Sequence, residues 1–479
     1  MMRKMEPSVT ELLKQKNYKE AELEAKERIR ANSLEAQNWV FLGEALMHQG
    51  YGSAATKAFY RAWLLDPEAT WVVPVLDALK EIPSGDERLD IEGLLHVRKV
   101  TVSAGIITYN MESTIERCLD SLQGAVDEII LIDCSTDRTA EIASQYPNVT
   151  VVPFVWVDDF AAARNEGLRH MNSDWVFWID ADEHLVKEDV DAVREVAGLY
   201  HNTAIPSILC LWQINSIQNH IKHNFSQARL FPLGKGLRHW GRVHEQVGTQ
   251  SGVYNLEAHR FKIKVRVLHD GYEPSVMKNK LKIERNLKLL DLMVQEEPDN
   301  PAAWFYLGRD LLGAGKELEA IEALLEAERR ALSQPLFGRL LDVYKYLMEI
   351  SYHRKEWEQA LMYGTKALNH HPDFPDAHYM IAQVRMKQAD QLYTEAEASL
   401  RRARDAFHSF RHMVSPEHEI GEWKVDLALA AIAQRAGKPS AAKAIYKQTL
   451  NQHPRTAGLI SKKLAAIEAE RQRLNQQSQ

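Results

Sequence analysis

No run of about eighteen apolar residues occurs in this chain, so nothing in it reads as a span across a bilayer. The opening Met-Met-Arg-Lys-Met-Glu is positively charged but has no apolar stretch behind it, and no secretory signal is expected. Cysteine is scarce: Cys118, Cys134 and Cys210 show no metal-type spacing and are too few for a disulfide framework. A reducing, cytoplasmic setting is the expectation that follows. Basic charge is not in excess either. The formal net charge of −7 gives no support for a nucleic-acid partner. What is present is the 45 % hydrophobic and 26 % charged balance of a globular protein. The 479 residues exceed one hydrophobic core, and roughly two to four domains are expected.

Both ends of the chain carry an internal repeat. Counted from Trp39, the positions Gly43, Leu46, Gly50, Ala55, Phe59, Ala62 and Pro67 are matched in spacing by windows that start at Trp304, Tyr344 and Asp426. Small residues recur at the same steps, and proline closes three of the four windows. This pattern resembles the tetratricopeptide repeat, whose paired helices cross closely at small residues and stop before proline. Val9 to Ile29 is expected to form a partial first unit, and Met380 to Ala403 a degenerate later one. Stacked helix pairs leave a concave surface suited to holding a polypeptide.

Between the repeats the period changes. Val100 to Ile107 is a β-branched apolar run, Ser113 to Leu122 is helical, and Glu128 to Ile132 is again strand-like, ending at Asp133. Ser113 and Glu116 suit a capping box. Helix is expected over Asp137 to Gln145 and Phe160 to Met171, and strand over Val149 to Val155 and Val176 to Ile179. This alternation predicts an α/β sheet with crossover helices, with ligands at the strand ends. The expected division is an N-terminal helical region over 1–98, an α/β domain over 99–275 and a C-terminal helical solenoid over 276–479.

The apolar strand at Val176 ends abruptly in Asp180-Ala181-Asp182-Glu183. Carboxylates this close repel unless a cation or a polar setting compensates. Oxygen ligands suit Mg²⁺ or Mn²⁺, which bridge protein carboxylates to substrate phosphates. The same residues also suit the start of the next helix, and on their own the eight residues leave both readings open.

The ordered series of motifs is more specific. Ile106-Ile107-Thr108-Tyr109-Asn110, Asp127 to Asp133, Ser135 to Thr139, Trp156 to Asn165, Asp180 to Glu183, Gly241-Arg242-Val243-His244-Glu245 and His269-Asp270-Gly271-Tyr272 follow one another along the chain. Together they resemble the inverting family 2 glycosyltransferases of the GT-A fold, in the subgroup carrying tetratricopeptide repeats. That subgroup includes transferases that glycosylate peptide bacteriocins. The resemblance implies a nucleotide-sugar donor, a UDP-sugar first, and a divalent metal. Thr108 and Tyr109 would border the base and Asp133 would accept from its N–H. Arg164 would reach the diphosphate, Asp180 would lie by the ribose or metal, and Asp182 would ligate the metal. A histidine further along would complete the metal site, with His244 expected ahead of His269. The base that inversion needs would be Glu245, with Asp270 and Glu183 as the other carboxylates in range. One departure stands out: only Cys134 separates Asp133 from Ser135, where the family usually has one residue more.

Bland alternatives accompany these roles. Asp133 also suits a turn through Ser135, and Arg164 also suits a surface pair with Asp158 or Asp159. Trp175 and Trp178 read as core, His370-His371 as turn, and Lys278, Lys280, Lys282, Arg285 and Lys288 as a solvated helix face. The acceptor is expected to be a peptide or protein on the repeat surface, with a cell-surface glycan or lipid-linked acceptor as the alternative. A scaffold without catalysis and a nucleotidyltransferase are the rival functions. Exposed solenoid ends would permit a homo-oligomer.

Overall fold

A computed structural model describes residues 8–217, 220–270, 276–411 and 413–477. Gly271 and Tyr272 of the last motif lie outside the described residues, as do the side chains of Asp270, Lys278 and Lys280. The chain forms two compact units, Met1–Gly338 and Arg339–Gln479.

The first unit opens with six helices, α1 (Val9–Lys14), α2 (Tyr18–Ala31), α3 (Ala36–His48), α4 (Gly52–Leu65), α5 (Val72–Leu79) and α6 (Leu89–Leu95). The α/β portion follows as β1 (Val102–Thr108), α7 (Ile115–Leu122), β2 (Glu128–Asp133), α8 (Thr139–Ala143), β3 (Val149–Pro153), α9 (Phe160–Arg169) and β4 (Trp175–Trp178). It continues through β5 (Glu183–Leu185), α10 (Val190–Tyr200), β6 (Ser207–Ile217), β7 (His220–Pro232), β8 (Arg238–Trp240), β9 (Gln246–Gly248) and β10 (His259–Asp270). Three helices close the unit: α11 (Val276–Glu296), α12 (Pro301–Gly313) and α13 (Glu317–Ala331).

Eight strands make one sheet in the order β3-β2-β1-β4-β7-β6-β10-β5. The first four are parallel, β7 runs antiparallel to β4, β6 antiparallel to β7, β10 parallel to β6, and β5 antiparallel to β10. From β1 the chain goes to β2 on one side and later returns to β4 on the other. That reversal opens a crevice at the strand ends, where Thr108 pairs with Asp133 and where β4 runs on toward Asp180. β1 and β4 are buried along almost their whole length, as strands covered on both faces must be. The expected capping box at Ser113 is not formed. Helix α7 starts one residue later, behind Thr114, which makes no side-chain cap and donates its hydroxyl to Met111 O instead.

The repeat spacing is explained by one recurring contact. A Cβ added to Gly43 would stand 2.8 Å from the Phe59 ring, and one added to Gly308 would stand 2.7 Å from Leu324 Cγ. Each pair occupies the same two steps of the repeat, and the missing side chain is what lets helix meet helix. In the second unit the sizes exchange: Gly364 now carries the hydrogen, and its added Cβ would stand 2.9 Å from Met348 Cε. The fourth window places Ala430 and Tyr446 at these steps, both in one core cluster. That unit comprises α14 (Leu340–His353), α15 (Trp357–His370), α16 (Pro375–Ser409), α17 (Val425–Arg435), α18 (Pro439–Gln452) and α19 (Ala457–Gln477). The degenerate pair expected over Met380 to Ala403 is instead part of the single 35-residue helix α16. No glycine or proline stands in that stretch to turn the chain.

Candidate functional site

The crevice is built around two charged groups, one closed and one open. Asp180 belongs to the closed group. Its Oδ1 accepts from Arg164 Nη2 at 3.0 Å and Arg229 Nη1 at 2.9 Å, and its Oδ2 accepts from Arg229 Nη2 at 2.5 Å. Arg164 also donates through Nε to Glu245 Oε1 at 2.6 Å and lies over the Trp178 ring at 4.9 Å. Burial works against ionisation of Asp180, but the Arg229 and Arg164 guanidiniums outweigh it and hold the carboxyl well below its usual range. Glu245 follows the same pattern: burial opposes its charge, and Arg164 and Arg229 overcome that and lower it. Arg164 is therefore no surface cation. Asp158 pairs with Lys288, and Asp159 caps α9 by accepting from Ala162 N, so neither takes it.

Trp178 fills the space behind this group. It is fully buried and lies against Gly105 and Gly167, where an added Cβ would come within 2.7 and 2.8 Å of its ring. Glycine at both positions is what lets the indole lie flat between β1 and α9. Trp175 is equally buried, as expected of core.

The open group holds Asp182, whose side chain is 44 % exposed, and His269. Strand register brings them together: His269 pairs with Glu183 across β10 and β5, next in the chain to Asp182. His269 Nε2 stands 3.3 Å from Asp182 Oδ2, and its Nδ1 stands 2.9 Å from Asn215 Oδ1. The bond to Asp182 favours the imidazolium, and the ring's pKa is raised by it. Glu183 is buried, accepts from Asp180 N and from Gln213 Nε2, and is pushed up by burial and by the neighbouring Asp180 charge.

Asp182 and His269 fit a divalent cation chemically, because one offers a carboxylate oxygen to solvent and the other an imidazole nitrogen beside it. Among the described residues no three His, Cys, Asp or Glu side chains form a closed metal site. Two protein donors suit a cation that takes its remaining oxygens from substrate phosphate and water. His244 is placed elsewhere. It adopts φ 53°, stacks on Tyr306 with ring centroids 4.4 Å apart, accepts from Arg309 Nη2 at 2.7 Å and lies 3.4 Å from Asp310 Oδ2. All three partners belong to α12.

At the ends of β1 and β2, Thr108 Oγ1 donates to Asp133 Oδ1 at 2.8 Å, and Ser135 N donates to the same oxygen at 3.2 Å. The turn through Ser135 is thus formed, with both donors on Oδ1. Tyr109 is 64 % exposed at the mouth. Asp270 ends β10, and its side chain lies outside the described residues. Arg229, Gln213 and Asn215 carry the site's geometry, and none of them stands in the motif series. Arg229 had a signal, a lone cation between Ala228 and Leu230-Phe231, which must find a counter-charge once buried.

Residues 103–208 match the model of the family described as Glycosyl transferase family 2. The chain is 31 % identical over 272 residues to the SPbeta prophage-derived glycosyltransferase SunS of Bacillus subtilis (strain 168), covering 56 % of this chain and 63 % of that protein. It is 27 % identical over 259 residues to a TPR repeat-containing protein of Synechococcus elongatus, covering 53 % of this chain and 60 % of that one. The chain thus spans about three fifths of the length of these curated relatives. Among solved structures, S. aureus TarS 1–349 in complex with UDP-GlcNAc is 14 % identical with a TM-score of 0.33, covering 60 % of this chain and 92 % of that one. The matched residues run from β1 to the start of β6 of the mixed eight-stranded sheet, and helical repeats precede and follow them in the chain.

Proposed function

We propose that this chain is an inverting, divalent-metal-dependent glycosyltransferase that moves a sugar from a nucleotide donor, a UDP-sugar first, to a peptide or protein side chain. The observation that carries the reading is the Asp182–His269 pair at 3.3 Å, standing at the strand-end crevice of a family 2 domain. Mg²⁺ or Mn²⁺ held by Asp182 and His269 would offset the charge that develops on the departing diphosphate. Asp180 is the anchor of this rim: Arg229 and Arg164 grip it, and its backbone N–H is fixed by Glu183. Arg164 and Arg229 add positive potential behind the diphosphate. Asp133 accepts a uracil N–H through Oδ2, because Oδ1 is already filled by Thr108 and Ser135. Tyr109, exposed at the mouth, offers its ring to the base.

The acceptor's proton goes to a carboxylate. Glu245 is held by Arg164 and kept ionised below its usual range, which makes it a weak proton acceptor. We therefore place Asp270 ahead of it. His244, packed on α12, ties the Gly241 to Glu245 loop to the helical repeat rather than to the metal.

The repeats support a polypeptide acceptor. A groove of about 640 Å³ between α11, α12 and α13 is lined by Leu287, Trp304, Leu307 and Leu311 and by the acidic Asp291 and Glu322. Such a groove suits an extended or helical segment with apolar anchors.

Hydrolysis of UDP-glucose, UDP-N-acetylglucosamine and GDP-mannose, with and without Mn²⁺, tests the reading. Nucleoside diphosphate should be released only with metal, and Asp182→Ala should abolish it. Turnover indifferent to metal and to Asp182→Ala, or release of pyrophosphate, refutes the proposal. Asp270→Asn should remove transfer, whereas Glu245→Gln should weaken it through Arg164.

A further inference from the structure

Four polar side chains, Gln213, Asn215, Asn224 and His269, drawn from β6, β7 and β10, lie on one face of the sheet between Glu183 and Asp182. The register places Glu183 opposite His269, His269 opposite Asn215, and Gln213 opposite Asn224. Along this row Gln213 Nε2 donates to Glu183 Oε1. Gln213 Oε1 accepts from Asn215 Nδ2 and from Asn224 Nδ2, each at 3.3 Å, and Asn215 Oδ1 faces His269 Nδ1 at 2.9 Å.

The direction of every bond in the row is dictated from its two ends. A backbone N–H can only donate, and Ser226 N donates to Asn224 Oδ1 at 2.9 Å. The Asn224 amide nitrogen must then face Gln213, so Gln213 presents its oxygen there and its nitrogen to Glu183. A carboxylate can only accept, which demands the same orientation of Gln213. With that oxygen fixed, Asn215 turns its nitrogen to Gln213 and its oxygen to His269. An amide oxygen accepts, and the ring must carry its proton on Nδ1.

We infer that Gln213 and Asn215 are positioning residues that fix His269 with its proton on Nδ1 and the Nε2 lone pair aimed beside Asp182. This rests on the metal reading of the Asp182–His269 pair, and it names how the strand register prepares that nitrogen. Without the row, a neutral ring would place its proton on Nε2 and donate it to Asp182, which blocks both groups as ligands. Hydrogen bonds that orient a ligating histidine typically change metal affinity by about 10–100-fold when lost.

The test uses the full chain labelled with ¹⁵N-histidine, free of metal, at alkaline pH where the ring is neutral. Long-range ¹H–¹⁵N spectra distinguish the two ring nitrogens, and His269→Gln identifies the resonance. The wild type should hold the proton on Nδ1. Asn215→Leu should move it to Nε2 and raise the Mn²⁺ dissociation constant, measured with UDP present, about 10-fold or more. Asn215→Asp, which keeps an acceptor, should leave the proton on Nδ1. A wild-type ring protonated on Nε2 overturns the inference, as does an Asn215→Leu variant with unchanged proton position and Mn²⁺ affinity. If Asn215→Leu fails to fold, the wild-type spectrum and Asn215→Asp decide the matter. Absence of donor turnover with the proton on Nδ1 would sink the enzymatic reading and leave the positioning of the ring intact.

Discussion

Arg229→Met takes the two-pronged donor away from Asp180 and leaves that carboxylate with Arg164 alone. Two unit charges about 4 Å apart at an effective dielectric near 20 attract by about 4 kcal/mol. Breaking a buried pair by removing one partner costs about 3–5 kcal/mol, because the other charge stays behind uncompensated. The Asp180 side chain is 39 % exposed, so water recovers part of the loss, and about 3 kcal/mol is the expected cost of Arg229→Met. Asp180→Asn keeps the Oδ1 acceptor but strands Arg229 and leaves Arg164 with Glu245 alone, for roughly 2–3 kcal/mol. The double variant removes both charges of the bidentate pair and should cost about 2 kcal/mol less than the sum. Urea denaturation followed by tryptophan fluorescence is the assay, with Trp178 reporting from beneath Arg164. Additivity of the two single variants to within about 0.5 kcal/mol would refute the claim that the pair organises the crevice.

Three further outcomes follow from single contacts. The Asp310 carboxyl is lowered from 3.8 to about 2: burial opposes its charge, and the adjacent His244 ring and Arg309 guanidinium overcome that. A depressed carboxylate contributes stability that is full above its unfolded value and lost as pH falls through the folded one, here about 2 kcal/mol. The melting-temperature gap between the parent and Asp310→Asn should therefore close as pH drops from 6 toward 2, and a constant gap would dismiss the assignment. Gly105→Val drives a side chain into the Trp178 ring and the Met171 methyl, and thermal unfolding should show a loss of about 1–3 kcal/mol. Asp159→Ala removes the cap of α9 and should cost about 1 kcal/mol, whereas Asp159→Asn should keep most of it. Equal losses in the two would show that the cap bond does not matter.

The parts of this molecule that the sequence makes legible are those in which cause and consequence lie within a few residues. The apolar run before Asp180 signals a buried strand, and the small residues of α9 signal close packing on Trp178, because both depend on local pattern. The repeat could be read for a related reason. A helix pair closes within one window, so Gly43 with Phe59 and Met348 with Gly364 leave the same spacing even where large and small exchange sides. Pairing across the sheet leaves no such trace. Gln213 and Asn215 alternate with Trp212 and Ile214 as any half-exposed strand does, and nothing near them points to Glu183 or His269. Their meaning comes from register, and a slip of one residue in β6 would turn both amides to the other face. The same logic separates the two histidines. His244 sits in the more conspicuous motif, yet its loop turns it onto α12, while His269 lies inside an ordinary β-branched strand. Strand β10 sets His269 beside Asp182 because β5 pairs with it, and β5 begins at the residue after Asp182. The partner that Asp182 meets is therefore chosen by sheet closure, a long-range event that local sequence motifs do not encode.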